Sequence, residues 1–147
     1  MTELAVSPLK VKMFNWHKWV GITILALTAI RMVWRLTHPV PSPLPMPAWQ
    51  KNSAYAAHTL MYFLLIALPV SGWAYSNATG YPIVYLALFP LPDLVAKSKP
   101  LAEQLHEVHE VLGWMLCGLI IIHVLAALKH HLIDHDGTLG RMWRWAR

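Results

Sequence analysis

The chain has 147 residues, of which 56% are hydrophobic and 13% charged, and a formal net charge of +5. An ordinary soluble domain carries about 25% charged residues, so this composition excludes a water-bathed globule and describes a surface that meets lipid. The cations collect at segment ends rather than along a basic stripe, which excludes nucleic acid as the partner.

In chain order, the first dozen residues are polar and contain no apolar core of a cleavable signal peptide. The first membrane-spanning helix is predicted over about 14–36, uncharged from 19 to 30 and bracketed by Lys18, Arg31 and Arg35. Those long cations can snorkel to the headgroups. A connector follows with five prolines in nine residues, Pro39, Pro41, Pro43, Pro45 and Pro47. It is read as a stiff, extended spacer. The second helix is predicted over about 54–75 with no formal charge, and Pro69 is expected to kink it. The loop over 76–101 holds a short apolar piece, 81–88, too short to span and expected to lie along the interface or to cap the bundle. The third helix is predicted over about 102–131, free of formal charge from 111 to 128. Each segment reaches the roughly 20 residues needed to cross a bilayer. The eight tryptophans gather near the ends of apolar runs, as in an interfacial belt. Fold class is therefore an all-α membrane protein with one domain over 1–147.

Lys and Arg weight the proline-connector side and the C-terminal tail, with Arg31, Arg35, Lys51, Lys129, Arg141, Arg144 and Arg147. By the positive-inside rule that side, with the C-terminus, is expected in the cytoplasm. The loop over 76–101 is expected to face outward. Cys117, the single cysteine, lies in an apolar run and reads as a small packing residue.

Histidines carry the chemistry. His109 and His123 lie 14 residues apart on one apolar helix, which is nearly four turns and a rise of about 21 Å. Both imidazoles thus face one side, near opposite boundaries of a hydrocarbon core roughly 30 Å thick. His17 begins the first helix at the outer face, at the depth of His109, and the two could grip one iron from opposite sides. An interfacial histidine beside Trp16 and Trp19 is the plainer alternative for His17. An unpaired imidazole at His123 would cost a few kcal/mol in so apolar a run, so it requires a metal or a hydrogen bond to another helix. His58 has a similar depth and is its candidate partner, or else hydrogen-bonds a haem propionate or a neighbouring helix. Gly21, Gly113 and Gly118 on the ligand-bearing helices would let a flat macrocycle approach. His106, Glu107 and His109 lack zinc-protease spacing, because Glu110 stands where the second histidine would be needed. His130 and His131 with Lys129 form a basic helix end, with contact to a quinone headgroup as a minor alternative.

The run Asn15-Trp16-His17-Lys18-Trp19-Val20-Gly21, then Arg31, Trp34, Arg35 and the proline connector, resembles the bacterial cytochrome b561 family. So do Ala57-His58 with the stretch ending Pro69-Val70-Ser71-Gly72-Trp73, and His109-Glu110 followed by His123 and Lys129-His130-His131. The resemblance covers nearly the whole chain. It implies a four-helix bundle binding two b haems, each between two histidines. By position, His17 and His109 match the ligands of the outer haem, and His123 one ligand of the inner haem. The family's first helix, which carries the fourth ligand, has no counterpart here, so three helices resembling helices two to four are expected. His58, a second subunit or that helix would then complete the inner site.

The resulting expectation is a haem b electron carrier of the bacterial inner membrane, passing electrons between the periplasmic face and membrane quinone or a redox protein. Ubiquinone is an expected second cofactor, quinone- or superoxide-linked oxidoreductase activity is left open, and the reading allows a homodimer. The rivals are an anchor subunit for a dehydrogenase or hydrogenase, and a non-redox helix bundle.

Overall fold

The computed structural model describes residues 8–38 and 47–133. Most of the proline connector and the C-terminal tail, with Arg141, Arg144 and Arg147, lie outside the described residues. Three long helices dominate: α1 (Pro8–Thr37), α2 (Ala48–Ala78) and α3 (Lys99–Leu132). All three are long and apolar enough to cross a membrane. Each begins several residues before the expected start. A 30-residue helix rises about 45 Å, longer than the hydrocarbon core, so polar ends such as Lys10 and Lys12 continue the ladder where water can satisfy their side chains. α2 runs through Pro69 as one helix. The Leu65 carbonyl, which would accept from residue 69, has no N–H to meet there. Ser98 caps α3, its hydroxyl accepting from the Leu101 N–H at 3.5 Å, with Pro100 in the first turn where a missing N–H costs nothing.

α2 is the spine. α1 packs against one side of it and α3 against another, and the backbones of α1 and α3 do not pack directly on each other among the described residues. The small core sits mainly on α2 and the loop after it, where Leu64, Ala74, Ala78 and Ile83 are buried with Ser71, Ser76 and Asn77; Thr28 of α1 and Ala102 of α3 are buried as well. Many other apolar side chains, among them Leu27, Phe63, Ile121 and Leu125, are exposed, as a lipid-facing surface requires.

The apolar piece after α2 is a two-stranded antiparallel hairpin, β1 (Val84–Tyr85) and β2 (Phe89–Pro90). It caps one end of the bundle. The Trp19 indole donates to the Val84 carbonyl at 2.8 Å, and the Thr23 and Tyr85 hydroxyls lie 2.8 Å apart. Asn77 closes the loop: its amide donates to Asp93 at 2.6 Å and accepts from the Leu94 N–H at 3.0 Å. The Trp73 indole donates to the Pro92 carbonyl at 3.1 Å. These bonds fix the end of the bundle at which α1 and α3 begin and α2 finishes.

Candidate metal centre

At the capped end, His17 of α1 and His109 of α3 face each other across the gap between the two helices, with ring centroids 6.0 Å apart and planes at 88°. His17 is exposed and His109 half-buried. His109 is the better anchored of the two. Its Nδ1 lies 3.0 Å from the Leu68 carbonyl and 3.1 Å from Ser71 Oγ. A carbonyl only accepts, so Nδ1 must carry the proton. Ser71 gives its own hydroxyl hydrogen to the same carbonyl at 2.8 Å and can therefore only accept from His109. Of the two neutral tautomers the network fits one, in which Nδ1 carries the proton and Nε2 the lone pair. Hydrogen bonding at the far nitrogen is how proteins orient a metal-binding imidazole and raise its basicity.

α2 is shaped to receive that ring. A Cβ on Gly72 would lie 2.7 Å from Cε1 and 3.1 Å from Nδ1 of His109, inside van der Waals contact. Gly72 thus allows the imidazole to press against the α2 backbone within reach of Leu68 and Ser71. The glycines of the ligand-bearing helices behave differently. A Cβ at Gly21 or Gly118 would meet nothing within 4 Å, and one at Gly113 only a Leu68 methyl at 3.9 Å. Gly21 and Gly113 each stand four residues after a candidate ligand, so the helix surface one turn beyond each imidazole is left open.

A second pair forms toward the other end. His58 of α2 and His123 of α3 have ring centroids 5.4 Å apart at 70°. Beside them, Arg31 Nε donates to the Tyr62 hydroxyl at 2.9 Å, and the Arg35 guanidinium lies 5.6 Å from the centre of the Tyr62 ring. Near the same end the Gln50 amide and His130 Nε2 are 3.0 Å apart. His106, one turn before His109 on α3, meets Tyr75 edge-on at 5.4 Å, and His38 lies flat on Trp34.

The two imidazole pairs fit a haem. Among the described residues no group of three or more His, Cys, Asp or Glu could hold a metal. Two imidazoles suffice only for an iron that brings its own ring of equatorial nitrogens. His17 with His109, ring centroids 6.0 Å apart, and His58 with His123, 5.4 Å apart, are the imidazoles that would hold such a group.

Ser71, Gly72 and the Leu68 carbonyl are not recognisable from the sequence as parts of this site. They lie on α2, which contributes no ligand here, and only the packing of α3 on α2 brings them to His109. Arg31 and Arg35, by contrast, share a face by their four-residue spacing, as do His58 and Tyr62.

Residues 1–145 match the prokaryotic cytochrome b561 family. The chain is 38% identical over 127 residues to cytochrome b561 homolog 2 of Escherichia coli (strain K12), covering 86% of this chain and 68% of that protein. It is 35% identical over 127 residues to a probable superoxide oxidase CybB of Yersinia pestis, covering 86% and 72%. Cytochrome b561 homolog 1 of Escherichia coli (strain K12) is 33% identical over 129 residues, covering 86% and 72%.

Proposed function

The chain belongs to the prokaryotic cytochrome b561 family, and from that premise we propose that it moves single electrons from the periplasmic face of the inner membrane to membrane quinone through haems held by His17, His109 and His123. Haem b binding, membrane electron transfer and a multi-pass position in the bacterial inner membrane come with the family. That membership replaces the non-redox bundle.

The carrying observation is the His17–His109 pair, with Nδ1 of His109 held by Leu68 and Ser71 and Nε2 left to bind. In this reading the pair grips the outer haem. His123 would hold an inner haem about four helical turns away, with His58, whose ring lies 5.4 Å from that of His123, as its second ligand. When bound, haem supplies reversible one-electron chemistry. The protein supplies the rest. The two helices fix the ligands, α2 sets the His109 tautomer, and the Leu68 hydrogen bond raises imidazole basicity, which favours ferric iron and lowers the outer potential. The 76–98 cap is tied to Trp19 and Thr23 of α1 and closed by Asn77, which fixes the end of the bundle where the pair lies.

Superoxide suits the outer end as donor, by similarity to the relative named a probable superoxide oxidase. Each superoxide that gives up one electron leaves as O2, and a quinone that collects two electrons and two protons becomes the quinol. The Arg31, Arg35 and Lys51 end, together with the C-terminus, then faces the cytoplasm by the positive-inside rule.

Reduced-minus-oxidised spectra of the detergent-purified protein test the ligand set. His17→Ala and His109→Ala should each remove the same haem component and leave the other. His123→Ala and His58→Ala should each remove the second. A His109→Ala protein that keeps both components refutes the assignment of the outer site.

A further inference from the structure

Arg31 and Arg35 present two permanent cations where α1 nears its end. α1 and α2 contain no Asp or Glu, and the acids of α3, Glu103, Glu107 and Glu110, stand near its opposite end. Asp134 and Asp136 follow α3 but lie outside the described residues. The two guanidiniums therefore converge on a phenol, Tyr62, rather than on a carboxylate. Tyr62 accepts from Arg31, which leaves its own hydroxyl hydrogen to donate elsewhere. One turn away on the same face of α2 stands His58, edge-on to His123 and within electrostatic reach of both arginines. Arg31, Arg35, His58, Tyr62 and His123 thus join three helices at one level of the bundle.

Two guanidiniums and a phenol donor form a receptor for carboxylate oxygens. Arg binds a carboxylate with two parallel N–H bonds, and charge assistance makes such bonds roughly twice as strong as neutral ones. Near a membrane core, cations without a counter-charge are costly, so an anion that arrives with a ligand is stabilising there. We propose that Arg31, Arg35 and Tyr62 form a carboxylate clamp that takes the propionate groups of the haem held beside His58 and His123. This rests on the reading that His123 ligates an inner haem. A phospholipid phosphate offers the same oxygen chemistry and is the competing source.

The test reconstitutes the purified full chain with haem b and with its dimethyl ester, whose propionates carry no charge. Wild type should hold haem b at the inner site at least tenfold more tightly than the ester. Arg31→Gln with Arg35→Gln should erase that preference and lower the inner midpoint potential, because nearby positive charge favours the reduced iron. The outer haem spectrum should stay unchanged, which reports an intact fold, and Arg31→Lys with Arg35→Lys should restore part of the preference. Equal ester discrimination in wild type and the Gln variant overturns the clamp. So does loss of co-purifying anionic lipid with both potentials unmoved, which would assign the cations to a headgroup. Asp134→Asn with Asp136→Asn reproducing the Gln phenotype would overturn it by showing a protein counter-charge. A wild type that binds one haem alone would sink the inner-haem reading itself, an outcome distinct from a clamp that fails with both haems in place.

Discussion

Gly72 and Ser71 show how narrowly one imidazole is held. The ring of His109 occupies the space a Cβ at 72 would take, only 2.7 Å from Cε1. Gly72→Ala must push the ring off α2 and break its bonds to Leu68 and Ser71. Overpacking of this kind costs about 1–3 kcal/mol, and here it also moves Nε2. The expected outcome is loss or spectral splitting of the outer haem component with the inner one retained, read in the difference spectrum. Ser71→Ala should be milder, because the Leu68 carbonyl still receives the Nδ1 proton, at a cost of about 0.5–1.5 kcal/mol. A Gly72→Ala protein with an unaltered outer haem would show that His109 does not use this notch when loaded. The pairing of His17 with His109 is legible in the sequence, since helix counting puts both at one depth. The notch is not, because hydropathy and spacing do not say which face of α2 meets α3. Gly21 and Gly118, singled out for leaving room beside the candidate ligands, border open space.

At the scale of elements, the loop after α2 does more than connect. Its hairpin turn places Leu86 at φ 52° and Ala87 at φ 58°, where a side chain costs roughly 1–2 kcal/mol. Turns of this hand normally use Asn-Gly or Asp-Gly, so the sequence shows only an apolar run and no hairpin signal. The strain is offset by bonds to the helices, through Trp19 to Val84 and through Thr23 and Tyr85. Asn77 anchors the return strand. It is buried, with both amide groups used, by Asp93 and by the Leu94 N–H. Asn77→Ala removes both bonds, a loss of about 1–3 kcal/mol at roughly 0.5–1.5 kcal/mol for each. The cap should loosen while the helices stay formed. Limited proteolysis should then cut between 80 and 98 severalfold faster than in wild type, with helical circular dichroism unchanged. Equal cleavage rates would show that the cap stands without Asn77. The helices themselves are plainly legible, because long uncharged runs dictate them. Their ends are not, since polar residues continue a helix past the apolar run wherever water reaches them.

For the molecule as a whole, α1 is the least secured helix. It rests on α2 and on the hairpin, and its backbone does not pack on α3 among the described residues. What crosses that gap at the capped end is the His17–His109 pair. A haem gripped by both imidazoles therefore ties α1 to α3, and removing it should release α1 first. Binding to the folded state alone stabilises by about 2.7 kcal/mol at 100-fold excess of free ligand over Kd. For a chain of this size that corresponds to roughly 5–10 °C in Tm. Haem-loaded protein should therefore melt that much higher than haem-depleted protein in the same detergent. His17→Ala should lose most of the gain, because it cuts the tie at its α1 end, whereas His38→Ala, stacked on Trp34 at the other end of α1, should keep all of it. Hydrogen exchange locates the effect: depletion should raise exchange in α1 more than in α2 or α3. Uniform destabilisation of all three helices would mean that haem acts on the core around α2 rather than as a bridge between its two neighbours.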